Sequence, residues 1–183
     1  MQKLDLALTA DPMAIAMDID AAGLPFLRNR MPPAGSKTVA ELREVAEHAR
    51  KPFVLKGIMT VRGAEKAVEA GASAIVVSNH GGRVLDQCPA TAEVLPAIAD
   101  AVGDRVMVLV DGGIRTGLDV FKALALGADG VLIGRPFVTM VYGGGEEGVA
   151  AYVRKLTDEL SDTMAMCGAH SLKEINREML WQG

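Results

Sequence analysis

Two stretches of this chain repeat one pattern of elements, and this repeat most restricts the folds available to it. Residues 54–82 and 108–136 each run from an apolar segment through a glycine-containing turn into a short helical pattern, then into a second apolar segment. The helical patterns end at Gly71 and Gly127, and glycine suits the left-handed residue that follows a helix. Consecutive βα units of this length favour a (β/α) barrel over a doubly wound sheet.

Short apolar runs alternate with helical patterns along the rest of the chain. The runs show little polar alternation, which is typical of parallel strands that are covered on both faces. The pattern predicts strands at residues 13–17, 52–55, 74–77, 106–110 and 130–133. It predicts helices at residues 39–50, 61–70, 92–101, 118–126, 146–167 and 171–180.

The predicted strands are too few for a complete barrel. A (β/α)₈ barrel has eight strands and typically about 250 residues, whereas this chain has 183 residues. We therefore expect one α/β domain over residues 1–183 that forms about strands 4 to 8 of a TIM barrel, followed by C-terminal helices. Because an incomplete sheet leaves unpaired edges, we also expect association, as a homo-oligomer or with another polypeptide.

Charge and cysteine content exclude several classes of protein. The 19 basic and 23 acidic residues give a net charge of −4, which argues against binding to nucleic acid or to an anionic membrane. The two cysteines are far apart and form neither a disulfide framework nor a cysteine-rich zinc site, and we predict no metal site. The sequence shows no signal peptide and no transmembrane run, so we expect a cytoplasmic protein.

Polar side chains stand where the predicted strands end, and (β/α) barrels carry their reactive groups there. Lys56 closes an apolar strand, and a lysine in that place needs an electron-rich partner. The partner is either a carboxylate of the rim, which would make an ordinary ion pair, or an oxygen or nitrogen atom of a cofactor.

His80 and Arg83 lie in the segment SNHGGR, directly after the third predicted strand. Histidine can accept a proton near neutral pH, and arginine can bind a carboxylate through two parallel hydrogen bonds. The two glycines between them allow a tight turn, so that both side chains can face one ligand. A lone histidine is usually structural, but this spacing at a strand end indicates a catalytic base beside a carboxylate anchor.

Two more glycine-containing turns follow the last two strands and favour a phosphate site. One contains Asp111, Gly112, Gly113, Ile114 and Arg115, and the other contains Gly134 and Arg135. Glycine exposes backbone N–H groups, a helix N-terminus adds positive potential, and the arginines supply countercharge. Barrels often bind phosphate at the loops after strands seven and eight. Ordinary βα turns would explain one such loop well and two adjacent ones less well.

Four segments carry a resemblance to a known family: LKGIMT, SNHGGRVLDQCPAT, VDGGIRTGLDVFKALALGAD and VLIGRP. They closely resemble the FMN-dependent α-hydroxy-acid oxidases and dehydrogenases, which include glycolate oxidase, lactate oxidase and L-lactate dehydrogenase. The resemblance runs from about residue 14 to residue 175. It implies a TIM barrel that holds FMN at the carboxyl ends of its strands. It also implies oxidation of a small L-2-hydroxy acid to the 2-oxo acid, with oxygen or a quinone as electron acceptor.

The resemblance implies a role for each residue of the rim. His80 corresponds to the catalytic base, Asp20 to the carboxylate that stabilises the protonated histidine, and Arg83 to the anchor of the substrate carboxylate. Lys56 corresponds to the lysine beside N1 and the C2 carbonyl of the flavin, and Ser78 to a flavin contact. The ribityl-phosphate site corresponds to the two glycine-containing turns: Asp111, Gly112, Gly113, Ile114, Arg115, Gly134 and Arg135.

Three features depart from the family pattern. The first three barrel strands, which in the family carry two tyrosines of the site and several flavin contacts, have no counterpart. Asp18 stands where many members have threonine under the flavin, and an acidic group there would disfavour the anionic reduced ring. The arginine that many members carry after strand four has no clear match, and Arg28 is the nearest candidate.

The sequence leaves two other functions open. The chain could be a non-catalytic partial barrel that at most binds FMN or assembles with another chain. It could instead be a related FMN barrel enzyme such as the type 2 isopentenyl-diphosphate isomerase, although that substrate has no carboxylate for Arg83 to bind.

Overall fold

Five parallel strands form the sheet of this protein, seen in a computed structural model that describes residues 1–24, 27 and 35–181. Strands that are neighbours in the sheet are also neighbours in the chain. A (β/α) barrel requires this order, whereas a doubly wound sheet reverses its order part of the way across. The predicted partial α/β barrel is therefore confirmed. The strands are β1 (Ile15–Asp18), β2 (Phe53–Ile58), β3 (Ala74–Val77), β4 (Met107–Asp111) and β5 (Gly130–Leu132).

The helices between the strands begin and end close to the predicted positions. Thr38, Thr60 and Thr116 each accept a hydrogen bond from the backbone N–H three residues later and so begin a helix. Gly71 and Gly127 follow two of the helices with positive φ, as predicted. The α-helices of the described residues are α1 (Gln2–Leu8), α2 (Val39–Ala49), α3 (Val61–Glu69), α4 (Thr91–Val102), α5 (Gly117–Ala125) and α6 (Arg135–Cys167).

The C-terminal segment differs from the prediction in two ways. Helix α6 begins at Arg135 rather than at residue 146, and it bends at Gly145, whose φ of 55° and ψ of −139° are not helical. Three consecutive glycines precede the predicted start and mask the helical pattern there, because glycine has a low helix propensity.

The predicted helix at residues 171–180 is wrong. This segment forms only two 3₁₀ turns, Leu172–Glu174 and Arg177–Met179. Between them the side chain of Asn176 accepts a hydrogen bond from the N–H of Glu178. Local side-chain bonds of this kind compete with a continuous helix.

The core lies between the helices and one face of the sheet. Leu55, Ile75 and Val108 are fully buried there. Alternate strand residues point to the opposite face, which would be the interior of a closed barrel. On that face Met107 is 53% exposed and Leu132 is 37% exposed. The helical side of the sheet is thus packed, while the inner side is partly open.

Helices α5 and α6 cross closely at Gly117. A Cβ atom on Gly117 would lie 2.2 Å from the backbone nitrogen of Leu160, and its N–H donates to the carboxylate of Glu159 over 2.9 Å. This crossing places the middle of α6 beside the carboxyl end of β4. Within the described part of the chain, no helix combines the length and the apolar character that crossing a membrane requires.

Candidate functional site

A pocket of about 700 Å³ opens at the carboxyl ends of the strands, where the sequence predicts the site. Its volume falls within the usual range of cofactor and small-molecule sites. Of the predicted site residues, Asp20 and Ser78 do not line the pocket and lie behind its wall. Those that line it are Lys56, His80, Arg83, Asp111, Gly112, Gly113, Ile114, Arg115, Gly134 and Arg135.

Lys56 lies among three carboxylates at one end of the pocket. Its ammonium nitrogen is 2.7 Å from Asp18, 3.7 Å from Asp20 and 3.9 Å from Asp111. Burial acts to lower the pKa of Lys56, but the hydrogen bond to Asp18 and the charges of the three carboxylates outweigh it and raise that pKa above its usual value. Lys56 is therefore a cation. Of the two partners that the sequence left open, the structure shows the carboxylate, while the contact with a cofactor stays a prediction for a lysine that lines the pocket.

Asp20 is held against His80 by the close approach of Gly57. The two carboxylate oxygens of Asp20 lie 3.2 and 3.3 Å from Nδ1 of His80, and the side chain of Asp20 is only 7% exposed. Gly57 has φ of 106° and stands at an irregularity in the β2–β3 pairing. A Cβ atom there would lie 2.6 Å from Cβ of Asp20. The glycine in LKGI thus makes room for the carboxylate that faces the histidine.

The backbone of the SNHGG segment turns sharply to present His80. His80 has φ of 56°, which is uncommon for a residue with a side chain and typical of sites under functional constraint. The side chain of Asn79 accepts the N–H of Gly82 and donates to the carbonyl of Pro89. The fully buried Ser78 accepts the N–H of His80 through its hydroxyl. Its predicted flavin contact stays a prediction, since in this structure Ser78 supports the turn.

Arg83 follows this turn and lines the pocket in an exposed position. Within the described residues, the arginines that pair with carboxylates are Arg43, Arg105 and Arg177, so the guanidinium of Arg83 is not held by a salt bridge there. Arg28, the nearest candidate for the missing family arginine, lies outside the described residues.

A further part of the pocket is built from the turn after β4, which begins at Asp111 beside Lys56. Gly112 and Gly113 have φ of 92° and 82°, and the hydroxyl of Thr91 donates to the carbonyl of Asp111 over 2.7 Å. The Oδ1 atom of Asp111 is buried and has no hydrogen-bond partner among the described residues. An orphaned carboxylate oxygen is costly, and a hydroxyl group in the pocket would satisfy it.

Two arginines line the pocket near the turn after β4. Arg115 and Arg135 both line the pocket, and neither belongs to the salt bridges found among the described residues. The guanidinium of Arg135 lies over Gly81, where a Cβ atom would come within 2.5 Å of Nη2. The glycine beside His80 therefore also makes room for an arginine from the start of α6.

Several lining residues on α6 were not predicted from the sequence, and Tyr152 and Lys155 are two of them. The hydroxyl of the buried Tyr152 donates to the carbonyl of Arg115 over 2.8 Å, and its ring packs edge-on against Phe137. Lys155 also lines the pocket, and its ammonium pairs with the carboxylate of Glu159. Only the amphipathic pattern of the tail indicated a packed face here, and it did not indicate which strand end that face would meet.

Asp18, Asp20 and His80 also lie close enough together to hold a metal ion, with one ligand atom from each within 4.8 Å of the others. The ammonium of Lys56 contacts both of these carboxylates and would repel a second cation. The absence of a metal site stays a prediction.

Comparison with known proteins identifies the family. The model of a family described as FMN-dependent dehydrogenase matches residues 13–182. The chain is 45% identical over 146 residues to a 2-hydroxyacid oxidase of Dictyostelium discoideum, covering 80% of this chain and 38% of that protein. It is 48% identical over 135 residues to glycolate oxidase of Spinacia oleracea, covering 72% of this chain and 37% of the relative.

Solved structures show the same fold. A mandelate oxidase with benzoyl-formic acid superposes with a TM-score of 0.86 at 38% identity, covering 96% of this chain and 58% of the other. A lactate oxidase of Pediococcus acidilactici superposes with a TM-score of 0.87 at 33% identity, covering 97% and 55%. The chain thus spans about two fifths of the length of the curated relatives, 38% and 37% for the two above. On the family match and these identities, the chain belongs to the FMN-dependent dehydrogenase family.

Proposed function

We propose that this chain carries the FMN site, the base and the carboxylate anchor of an enzyme that oxidises a small L-2-hydroxy acid to the 2-oxo acid. The observation that carries the proposal is the contact of 3.2 Å between Nδ1 of His80 and the carboxylate of Asp20, because His80 lines the same pocket as Arg83. Relatives that share the family are named 2-hydroxyacid oxidase, glycolate oxidase, L-lactate oxidase and L-lactate dehydrogenase.

The residues of the pocket fit FMN by their chemistry. Arg115 and Arg135, with the glycine turns at Gly112 and Gly134, offer cations and backbone N–H groups for a phosphate. The unsatisfied Oδ1 of Asp111 can accept a hydrogen bond from a hydroxyl of the ribityl chain. Lys56 can contact the ring. When bound, FMN supplies an acceptor for the two electrons that leave the substrate.

His80 is the base of this proposal, and its contacts favour Nε2 as the nitrogen that takes the proton. The carboxylate oxygens of Asp20 lie closest to Nδ1, so in this proposal Nδ1 carries a proton and donates it to Asp20. The Lys56 ammonium is 3.4 Å from the same nitrogen but donates to Asp18. Nε2 then has a free lone pair and can take a proton from the substrate. The negative charge of Asp20 stabilises the imidazolium that forms, because it lies in a largely buried position.

Arg83 anchors the substrate. Its exposed guanidinium can bind the carboxylate of the acid through two parallel hydrogen bonds, which fixes the carbon atom that is oxidised relative to His80. A 2-hydroxy acid can engage both residues, because its hydroxyl stands next to its carboxylate and His80 and Arg83 line one pocket.

Several further properties belong to the proposal. Residues 1–183 form one FMN-binding (β/α)-barrel domain in this proposal, because all five described strands belong to one sheet. The electron acceptor is oxygen or a quinone, since relatives are named both as oxidases and as dehydrogenases. The proposed compartment is the cytoplasm, although two relatives of Arabidopsis thaliana are named peroxisomal.

The first test compares FMN with riboflavin. Purified chain should bind FMN more tightly, measured as quenching of flavin fluorescence, because only FMN carries the phosphate. Arg135→Ala should weaken the binding of FMN and leave that of riboflavin nearly unchanged. Arg105→Ala removes the same charge outside the pocket and should change neither. Equal affinity of the parent for both flavins would refute the phosphate site.

A second candidate function is a non-catalytic partial barrel that binds FMN or assembles with another chain. The exposed side chains of Met107 and Leu132 on the inner face of the sheet favour it, because a barrel interior is normally filled. Anaerobic reduction of bound flavin by a panel of 2-hydroxy acids separates the two functions. The measurement is made on the chain alone and with a polypeptide that carries the missing strands. Flavin that is bound but never reduced in either case would favour the second function.

A further inference from the structure

The proposed mechanism leaves one carboxylate beside Lys56 without a role. Asp20 faces His80 and Asp111 faces the turn after β4, but Asp18 has neither task. Asp18 nevertheless makes the shortest contact of Lys56, with 2.7 Å between its carboxylate and the ammonium.

This contact is built into the sheet. Asp18 on β1 and Lys56 on β2 are direct partners in the parallel ladder, so both side chains leave the same face at neighbouring positions. Lys56 is only 20% exposed, whereas Asp18 is 50% exposed. The lysine therefore has little freedom to leave, and the more exposed carboxylate lies beside it.

The charged groups around Lys56 do not together favour the binding of an anion. Lys56 supplies one positive charge, while Asp18, Asp20 and Asp111 lie within 3.9 Å of it. If one carboxylate has to orient His80 and another has to meet the ribityl chain, Asp18 is the group that cancels the charge of Lys56.

We propose that Asp18 is a positioning residue that neutralises Lys56 and so weakens the stabilisation of negative charge on the flavin ring. This inference rests on the proposed FMN site. It makes the bound flavin harder to reduce than it would be beside an unpaired lysine. It also makes the ring less receptive to nucleophiles. Reduction of the flavin and addition of a nucleophile both place negative charge on the side of the ring that Lys56 faces in the proposed site.

Sulfite tests this directly without turnover. Sulfite adds its sulfur lone pair to N5 of oxidised flavin, and the added electron pair leaves a negative charge on the N1–C2 side of the ring. Its affinity therefore reports the positive charge near that side, and bleaching of the visible flavin band measures it.

Asp18→Asn removes the charge with almost no change in shape, and Asp18→Thr removes it with a residue that suits a strand. Both should raise the affinity for sulfite about tenfold, the lower end of the effect of a neighbouring charge, because Asp18 is half exposed. The same factor in the two-electron reduction equilibrium corresponds to about 30 mV, and the potential should rise. Asp104→Asn, which removes a carboxylate at the opposite end of the strands, should change neither.

A measurement without flavin separates this inference from the proposed function. In chain labelled with ¹³C at the lysine ε-carbons, NMR titration should show a lower pKa of Lys56 in Asp18→Asn than in the parent. If no variant binds FMN, the proposed site fails in this chain and the titration alone decides on Asp18. A pKa of Lys56 that Asp18→Asn leaves unchanged overturns the inference. With FMN bound, an unchanged or lower affinity for sulfite overturns it as well.

Discussion

Replacing Gly57 by alanine should destabilise the protein and separate Asp20 from His80. Gly57 has φ of 106°, a conformation that residues with a side chain rarely adopt. The added Cβ atom would lie 2.6 Å from Cβ of Asp20 and 2.9 Å from its backbone nitrogen. Rotation of the Asp20 side chain cannot relieve this clash, because neither atom moves when χ1 changes.

The expected loss of unfolding free energy in Gly57→Ala has two parts. Backbone strain at a positive φ costs about 1–3 kcal/mol, and forcing an atom into a packed contact costs about 1–3 kcal/mol more. The free energy of unfolding should therefore fall by about 2–6 kcal/mol. Gly113→Ala is the matched control, because Gly113 has φ of 82° but no heavy atom within 4 Å of its Cβ position. The free energy of unfolding of Gly113→Ala should fall only by the part that comes from backbone strain.

Urea unfolding followed by far-ultraviolet circular dichroism measures both variants. The difference between them isolates the contact with Asp20, about 1–3 kcal/mol. If Gly57→Ala loses no more stability than Gly113→Ala, the close approach of β2 to Asp20 does not exist, and the structural basis for the Asp20–His80 pair fails with it.

Three further predictions concern catalysis, acid stability and assembly. With the missing strands supplied, His80→Gln should keep FMN bound and slow anaerobic flavin reduction by about 100-fold or more; reduction at the parent rate would place the base elsewhere. Burial acts to raise the pKa of Asp119, but hydrogen bonds from the hydroxyl of Thr116 and from the N–H groups of Arg115 and Thr116 outweigh it and hold that pKa below 3.8. A carboxylate with a lowered pKa stabilises the fold above its unfolded pKa and loses this contribution as the pH falls through the folded value. Asp119→Asn should therefore cost about 1 kcal/mol at neutral pH, and urea unfolding should show the difference closing in acid; a constant difference at all pH values would contradict this origin. Because Met107 and Leu132 are exposed on the inner face, the chain should sediment as an oligomer or form a complex with a polypeptide that carries the missing strands, and a cooperatively folded monomer would count against this.

The sequence by itself determined the class of fold and which residues lie at the carboxyl ends of the strands. Parallel strands in consecutive βα units bring their carboxyl ends to one edge, so Lys56, His80, Asp111 and Arg135 had to meet wherever the helices packed. Glycine positions were equally informative, since Gly71 and Gly127 have the positive φ that their places after helices require. These features are local or follow from the repeat, and each segment contains the information for them.

Only the tertiary structure decided which partners those rim residues have. The sequence placed Lys56 near an unnamed electron-rich group, and the register of β1 against β2 made Asp18 its closest neighbour. Gly57 could be recognised as a glycine in a strand, but its contact with Asp20 depends on how the turn after β1 folds back. Tyr152 meets the carbonyl of Arg115 because α5 and α6 cross at a glycine. Such contacts join residues distant in the chain, and their distances are set by register and packing, which the pattern of any single segment does not contain.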